Sequence, residues 1–99
     1  MEIREILDKT EILAQLAEEA AELAQAALKL RRAIDGKNPT PKSIAECEAA
    51  MEEEIADVEL CLLQIGFASD DHINTQALIM CSKEERWLSR LRKKEESEC

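Results

Sequence analysis

Ile6, Leu13, Leu16, Ala20, Leu23, Ala27, Leu30 and Ile34 recur first after seven residues and then alternately after three and four. That period is one face of an α-helix, predicted over about 3–34. It is interrupted or capped near Asp8 to Thr10, where Thr10 is a candidate N-cap. Asp35-Gly36-Lys37-Asn38-Pro39-Thr40 reads as a turn, with Gly36 suited to a left-handed C-cap and Thr40-Pro41 to an N-cap followed by proline in the first turn. A second helix, about 41–67, carries Ile44, Met51, Ile55, Val58, Leu62 and Ile65. Gly66 and Ser69-Asp70 separate it from a third, about 71–94, with Ile73, Ala77, Met80, Trp87 and Leu91, and residues 93–99 are expected to fray.

At about 1.5 Å per residue the first two helices would reach roughly 40 to 48 Å, too slender for three helices to bury their apolar faces alone. The expected architecture is therefore a single all-α domain over 1–99. It is an antiparallel bundle of three to four helices completed by homo-oligomerisation, as a homodimer or a dimer of dimers. Composition supports the class: Phe67 and Trp87 are the only aromatic residues, Gly36 and Gly66 the only glycines, and helix-forming Ala, Leu, Glu, Lys and Arg dominate.

Charge narrows the partners. With 13 basic and 22 acidic side chains the chain carries −9, which repels the backbone of a nucleic-acid polymer. The start lacks the pattern of a signal sequence, and the longest apolar stretch, Leu60 to Ala68, is interrupted by Gln64. No membrane partner and a cytoplasmic location are expected. Cys47, Cys61, Cys81 and Cys99 show no Cys-x-x-Cys pairing and read as reduced thiols. His72 is the sole histidine, so neither a Glu-x-x-His di-iron site nor a catalytic Ser-His or Cys-His set can be composed, and no glycine-rich phosphate loop is present.

The chemistry concentrates in two acidic clusters, Glu18-Glu19-Ala20-Ala21-Glu22 and Glu52-Glu53-Glu54-Ile55-Ala56-Asp57. Glu19 with Glu22, and Glu54 with Asp57, lie three residues apart and so share a helix face. Each pair immediately precedes two stripe residues, Ala20 and Leu23 or Ile55 and Val58, which sets it about 100° from the core direction. In an antiparallel pair of helices these equal offsets fall on one side of the interface. The pairs also lie at equal distances from the turn, about 20 Å on either arm. Carboxylates gathered at one level call for a hard cation, and Mg²⁺, with Mn²⁺ as a possible substitute, suits an all-oxygen ligand set. Glu18 and Glu53 point further outward and read as surface carboxylates, either of which could assist through a water.

Glu18-Glu19-Ala20-Ala21-Glu22-Leu23, a helical turnaround, and Glu53-Glu54-Ile55-Ala56-Asp57-Val58 together resemble the Glu-x-x-Glu and Glu-x-x-Asp signature of MazG-like nucleotide pyrophosphohydrolases, of the all-α nucleoside triphosphate pyrophosphatase superfamily. The resemblance spans about 12–91. It implies hydrolysis of nucleoside triphosphates between the α- and β-phosphates to monophosphate and pyrophosphate with Mg²⁺. It further implies that Glu19, Glu22, Glu54 and Asp57 are metal ligands, and that Glu19 or Glu54 helps deprotonate the attacking water. Two departures concern the substrate more than the metal: the stretch between the motifs, 23–53, is long for the family, and an acid often found further along the second helix is replaced near Phe67.

Lys83 and Arg86, with Trp87 beside them, resemble basic and aromatic positions late in the family and are candidates to grip substrate phosphates; ordinary surface charge is the competing reading. Lys29, Arg31 and Arg32 are further basic residues able to approach the groove or to screen a helix C-terminus. From another functional class, the alternative is a non-catalytic helical oligomerisation or adaptor protein with an acidic groove.

Overall fold

A computed structural model describes residues 2–36 and 41–98. The described chain is all-α, with four helices: α1 (Ile3–Ile6), α2 (Lys9–Asp35), α3 (Ile44–Gln64) and α4 (Asp70–Glu98). It forms two compact units, 1–67 and 68–99.

In the first unit the break after α1 is set by a capping box. Asp8 Oδ1 accepts from the Glu11 N–H at 2.9 Å and Glu11 Oε1 from the Asp8 N–H at 3.1 Å. Asp8, not Thr10, is thus the N-cap of α2, and the Thr10 hydroxyl instead donates to Asp8 Oδ1 at 2.7 Å. The hydroxyl of Thr10, then the N–H of Glu11, holds the Asp8 carboxyl below its ordinary value. The same device opens α3: Ser43 Oγ accepts from the Glu46 N–H at 3.1 Å, and Glu46 Oε1 from the Ser43 N–H at 3.2 Å. The predicted cap Thr40 lies outside the described residues, and α3 begins at Ile44 rather than Pro41. The Ser43 N–H and hydroxyl lower the Glu46 carboxyl. Because both carboxyls are lowered on folding, their stabilisation is complete above the ordinary carboxylate range and is lost as pH falls through the lowered values. Ser43→Ala should cost about 1 kcal/mol. Urea denaturation at neutral pH measures this, and an unchanged midpoint would remove Ser43 from the cap.

Glycine closes both long helices of this unit. Gly36 adopts φ +67° and its N–H donates to the Arg32 carbonyl at 3.0 Å, as the turn pattern predicts. Gly66, at φ +84°, allows the Phe67 N–H to reach back to the Leu62 carbonyl at 3.0 Å and its own N–H to reach Leu63 at 3.3 Å, a Schellman closure of α3. Lys9 Nζ sits 5.9 Å from the centre of the Phe67 ring.

The start of α2 lies beside the end of α3, where Asp8, Lys9 and Ile12 share a depression with Gln64 and Ile65. The two helices therefore run antiparallel. On α2 the contact line is not the predicted stripe, whereas on α3 the predicted Met51, Ile55, Val58, Leu62 and Ile65 are all half-buried. On α2 the buried and half-buried side chains along that line are Ile12, Leu16, Glu19, Leu23, Ala26 and Leu30, and on α3 they are Cys47, Met51, Glu54, Val58, Cys61 and Ile65. Both sets alternate steps of four and three, the period of a helix-packing seam. Leu13, Ala20, Ala27 and Ile34 fall on the adjacent, exposed flank, with Ile34 at 63% exposure against 3% for Ile12. Residues one step apart on a helix differ by about 100°, and both candidate stripes share Leu16, Leu23 and Leu30. Packing against α3, rather than apolarity, selects between them. The buried thiols of Cys47 and Cys61 act as small apolar seam residues; these and exposed Cys81 are free, and Cys99 lies outside the described residues.

The second unit is built on α4. It runs from Asp70 to Glu98. Glutamate, lysine and arginine are strong helix formers, and Ser97 Oγ donates to the Lys94 carbonyl at 2.9 Å. Ile73, Met80 and Trp87 recur every seven residues along it and all are exposed, Trp87 at 62%. Among the described residues no helix is long and apolar enough to cross a membrane.

Candidate metal centre

Each half of the α2–α3 seam is apolar except for one position, Glu19 on α2 and Glu54 on α3. Both carboxylates are half-buried, closer to the core than the flank positions expected from the predicted stripe, whereas Glu22 and Asp57 are exposed. Antiparallel packing brings all four together: one carboxylate oxygen from each of Glu19, Glu22, Glu54 and Asp57 lies within 4.8 Å of the others.

The two inner carboxylates each carry an oxygen with nothing to bind. Oε2 of Glu19 and Oε2 of Glu54 are shut off from solvent and have no hydrogen-bond partner. Burial without a partner is expensive for any polar atom and more so for a carboxylate oxygen. Among the described residues none of the four acids is in an ion pair. The other oxygen of Glu19, Oε1, accepts from Gln15 Nε2 at 2.8 Å. Gln15, one turn earlier on α2, thus fixes one oxygen of Glu19 and leaves Oε2 without a partner.

The donor set suits a hard divalent cation. Octahedral Mg²⁺ at about 2.1 Å from each oxygen places ligand oxygens about 3.0 Å apart on adjacent positions and about 4.2 Å apart on opposite ones. The 4.8 Å limit of the cluster lies just outside the larger of these, so a small side-chain contraction closes it around one ion. It also leaves room for a pair of ions about 3.5–4 Å apart.

Cys61 borders the cluster. Burial pushes its thiol pKa up, and the negative charges of Glu19 and Asp57 push it further. The thiol is therefore held protonated beside the acids.

A groove of about 380 Å³ continues along the α2–α3 interface from the acids, lined by Glu22, Glu53 and Glu54 and by Lys29 and Lys42 among others. Glu53, read from sequence as an outward surface carboxylate, borders this groove. Lys29 approaches it, while Arg31 instead meets Asp35 at 3.9 Å. Gln15 and Lys42 were not singled out by the sequence. Gln15 had a signal in its i,i+4 spacing to Glu19; Lys42 had none, since it precedes α3 and no helical spacing ties it to the acids.

Lys83 and Arg86 belong to the second unit. There they line a shallow surface with Trp87 and Arg90, so the structure places these basic residues together on one face of α4. Glu18 is exposed on α2. His72 is exposed at the start of α4, its backbone N–H directed to Ser69 Oγ at 3.4 Å. The chain matches no protein-family model, no curated protein and no solved structure.

Proposed function

We propose that this chain is a Mg²⁺-dependent nucleoside triphosphate pyrophosphohydrolase of the MazG-like kind, acting as a homodimer or dimer of dimers. The observation that carries the reading is the pair of buried, partnerless oxygens on Glu19 and Glu54, two members of a four-carboxylate group. A seam that needed only stability would place apolar side chains at these positions. Two acids facing each other there are explained by a cation between them.

Glu19, Glu22, Glu54 and Asp57 would hold Mg²⁺, with Mn²⁺ as a substitute. Mg²⁺ supplies the positive charge that polarises the phosphoryl oxygens of a polyanion the −9 chain would otherwise repel. Glu19 or Glu54 accepts a proton from the water that attacks the α-phosphorus. The bond from that phosphorus to the bridging oxygen breaks, releasing nucleoside monophosphate and pyrophosphate. Gln15 keeps Glu19 in one orientation throughout. For Lys83 and Arg86, phosphate contact is supported by the resemblance and by the basic face they share with Arg90.

Self-association is supported by exposed apolar side chains on both units: Leu13, Leu28, Ile34 and Leu63 on the hairpin, and Leu78, Met80 and Trp87 on α4. A helix in water draws most of its stability from a packed apolar face.

Release of monophosphate and pyrophosphate from a panel of ribo- and deoxyribonucleoside triphosphates, with Mg²⁺ and with chelator, tests the reaction. Turnover should require the metal. Mg²⁺ at about a hundred times its Kd should add about 2.7 kcal/mol of stability, a rise of roughly 10 °C or more in Tm for a chain of this size. Absence of both turnover and thermal shift would favour the non-catalytic helical adaptor.

A further inference from the structure

The groove beside the acids is divided by charge. Glu22, Glu53 and Glu54 line it at the level of the carboxylate cluster. Lys29 and Lys42 line the same groove nearer the α2–α3 turn. The order follows from the antiparallel hairpin: Lys29 comes two turns after Glu22 on α2, about 10.5 Å closer to the turn, and Lys42 precedes α3 altogether. Side chains lean toward the N-terminus of their own helix, so Lys29 leans from the turn side back toward the acids.

In a chain with such an excess of acid, lysines are expected to be paired. Among the described residues neither Lys29 nor Lys42 is in an ion pair, although the charge of Lys42 does contribute to lowering the Glu46 carboxyl. Two ammonium groups thus border one cavity that begins at a cation-demanding cluster. A ligand that satisfies both ends carries oxygens to share with a divalent cation at one end and further negative charge at the other. A phosphate chain has that form. The 380 Å³ of the groove lies near the lower limit of small-ligand sites, a size suited to the phosphates rather than to a whole nucleotide.

We propose that Lys29 and Lys42 form an anion subsite holding the terminal phosphates of the substrate, so that the phosphate chain runs from the carboxylates toward the α2–α3 turn and the departing pyrophosphate lies on the lysine side. This rests on the pyrophosphohydrolase reading and gives it a direction. The nucleoside then extends away from the turn, and selectivity among bases is set elsewhere than in this groove.

Inorganic pyrophosphate is the probe, titrated calorimetrically into the full chain in the presence of Mg²⁺. Lys29→Ala/Lys42→Ala should weaken its binding at least tenfold, about 1.4 kcal/mol, and Lys29→Arg/Lys42→Arg should restore most of it. Affinity for Mg²⁺ alone should be the same in all three proteins, which separates the subsite from the metal centre. Equal pyrophosphate affinity in the wild type and the double alanine variant, or no pyrophosphate binding by the wild type, overturns the subsite and leaves the metal reading standing. If the wild type binds no Mg²⁺, the pyrophosphohydrolase reading falls, and the same comparison in chelator decides the subsite: lysine-dependent binding supports it, and lysine-independent or absent binding overturns it.

Discussion

Glu54→Gln should abolish Mg²⁺-dependent turnover while raising the melting temperature of the metal-free protein. The substitution keeps the shape of a half-buried side chain and removes its charge. As a ligand, the amide offers one neutral oxygen where the carboxylate offered negative charge to a divalent ion. A fall in kcat of about 10²-fold or more is expected, of the order seen when a single electrostatic contact to the reacting group is lost. As a neighbour, the amide gives the seam a donor. Oε2 of Glu19 has no partner, and Glu19 and Glu54 belong to the same 4.8 Å cluster. Repulsion between like charges is thus replaced by attraction, with an expected gain of about 1 kcal/mol, or roughly 4–8 °C in Tm. The two effects have opposite signs, and one protein preparation reports both. Unchanged turnover would show Glu54 is not a ligand. A lower Tm in chelator would show that its carboxylate serves the fold rather than the cation.

Ile12→Ala is expected to have the largest effect on stability. Ile12 is 3% exposed, and the only other buried apolar side chains among the described residues are Ala26, Cys47 and Cys61, all small. Truncation removes the largest buried contact at the end of the hairpin where α2 begins and α3 closes. Loss of a buried Ile side chain to Ala costs about 2–5 kcal/mol, against a total of about 5–15 kcal/mol for ordinary domains. With so little deeply buried surface the total here belongs at the lower end, so a large share of it should disappear. Urea unfolding followed by circular dichroism should show the midpoint falling with little change in slope. A midpoint within error of the wild type would mean that Ile12 does not face α3 and that the predicted stripe through Leu13 is the true contact.

That choice between two stripes shows where sequence reading stops. Leu13, Ala20, Ala27 and Ile34 are as apolar as Ile12 and Ala26, and both series run through Leu16, Leu23 and Leu30. The expected stripe put the acids on a flank; the observed one puts Glu19 and Glu54 into the contact itself. The caps of α2 and α3 are legible in the sequence. Asp8-x-x-Glu11 and Ser43-x-x-Glu46 are local signatures whose hydrogen bonds need no distant partner, and Asp8 outranks the neighbouring Thr10. The persistence of α4 through Lys93 to Glu98 likewise follows from residue type alone.

By itself the amino-acid sequence determined the all-α class, the glycine that ends α2, and two acid pairs at matching distances from the turn, because helix propensity, capping and rise per residue are local properties. Tertiary structure decided which face of α2 meets α3, that one oxygen of each central glutamate is buried without a partner, and that Lys29 and Lys42 share a groove with the acids. Burial and adjacency belong to pairs of helices. A period of 3.6 residues leaves neighbouring faces of one helix nearly equal until a partner covers one of them.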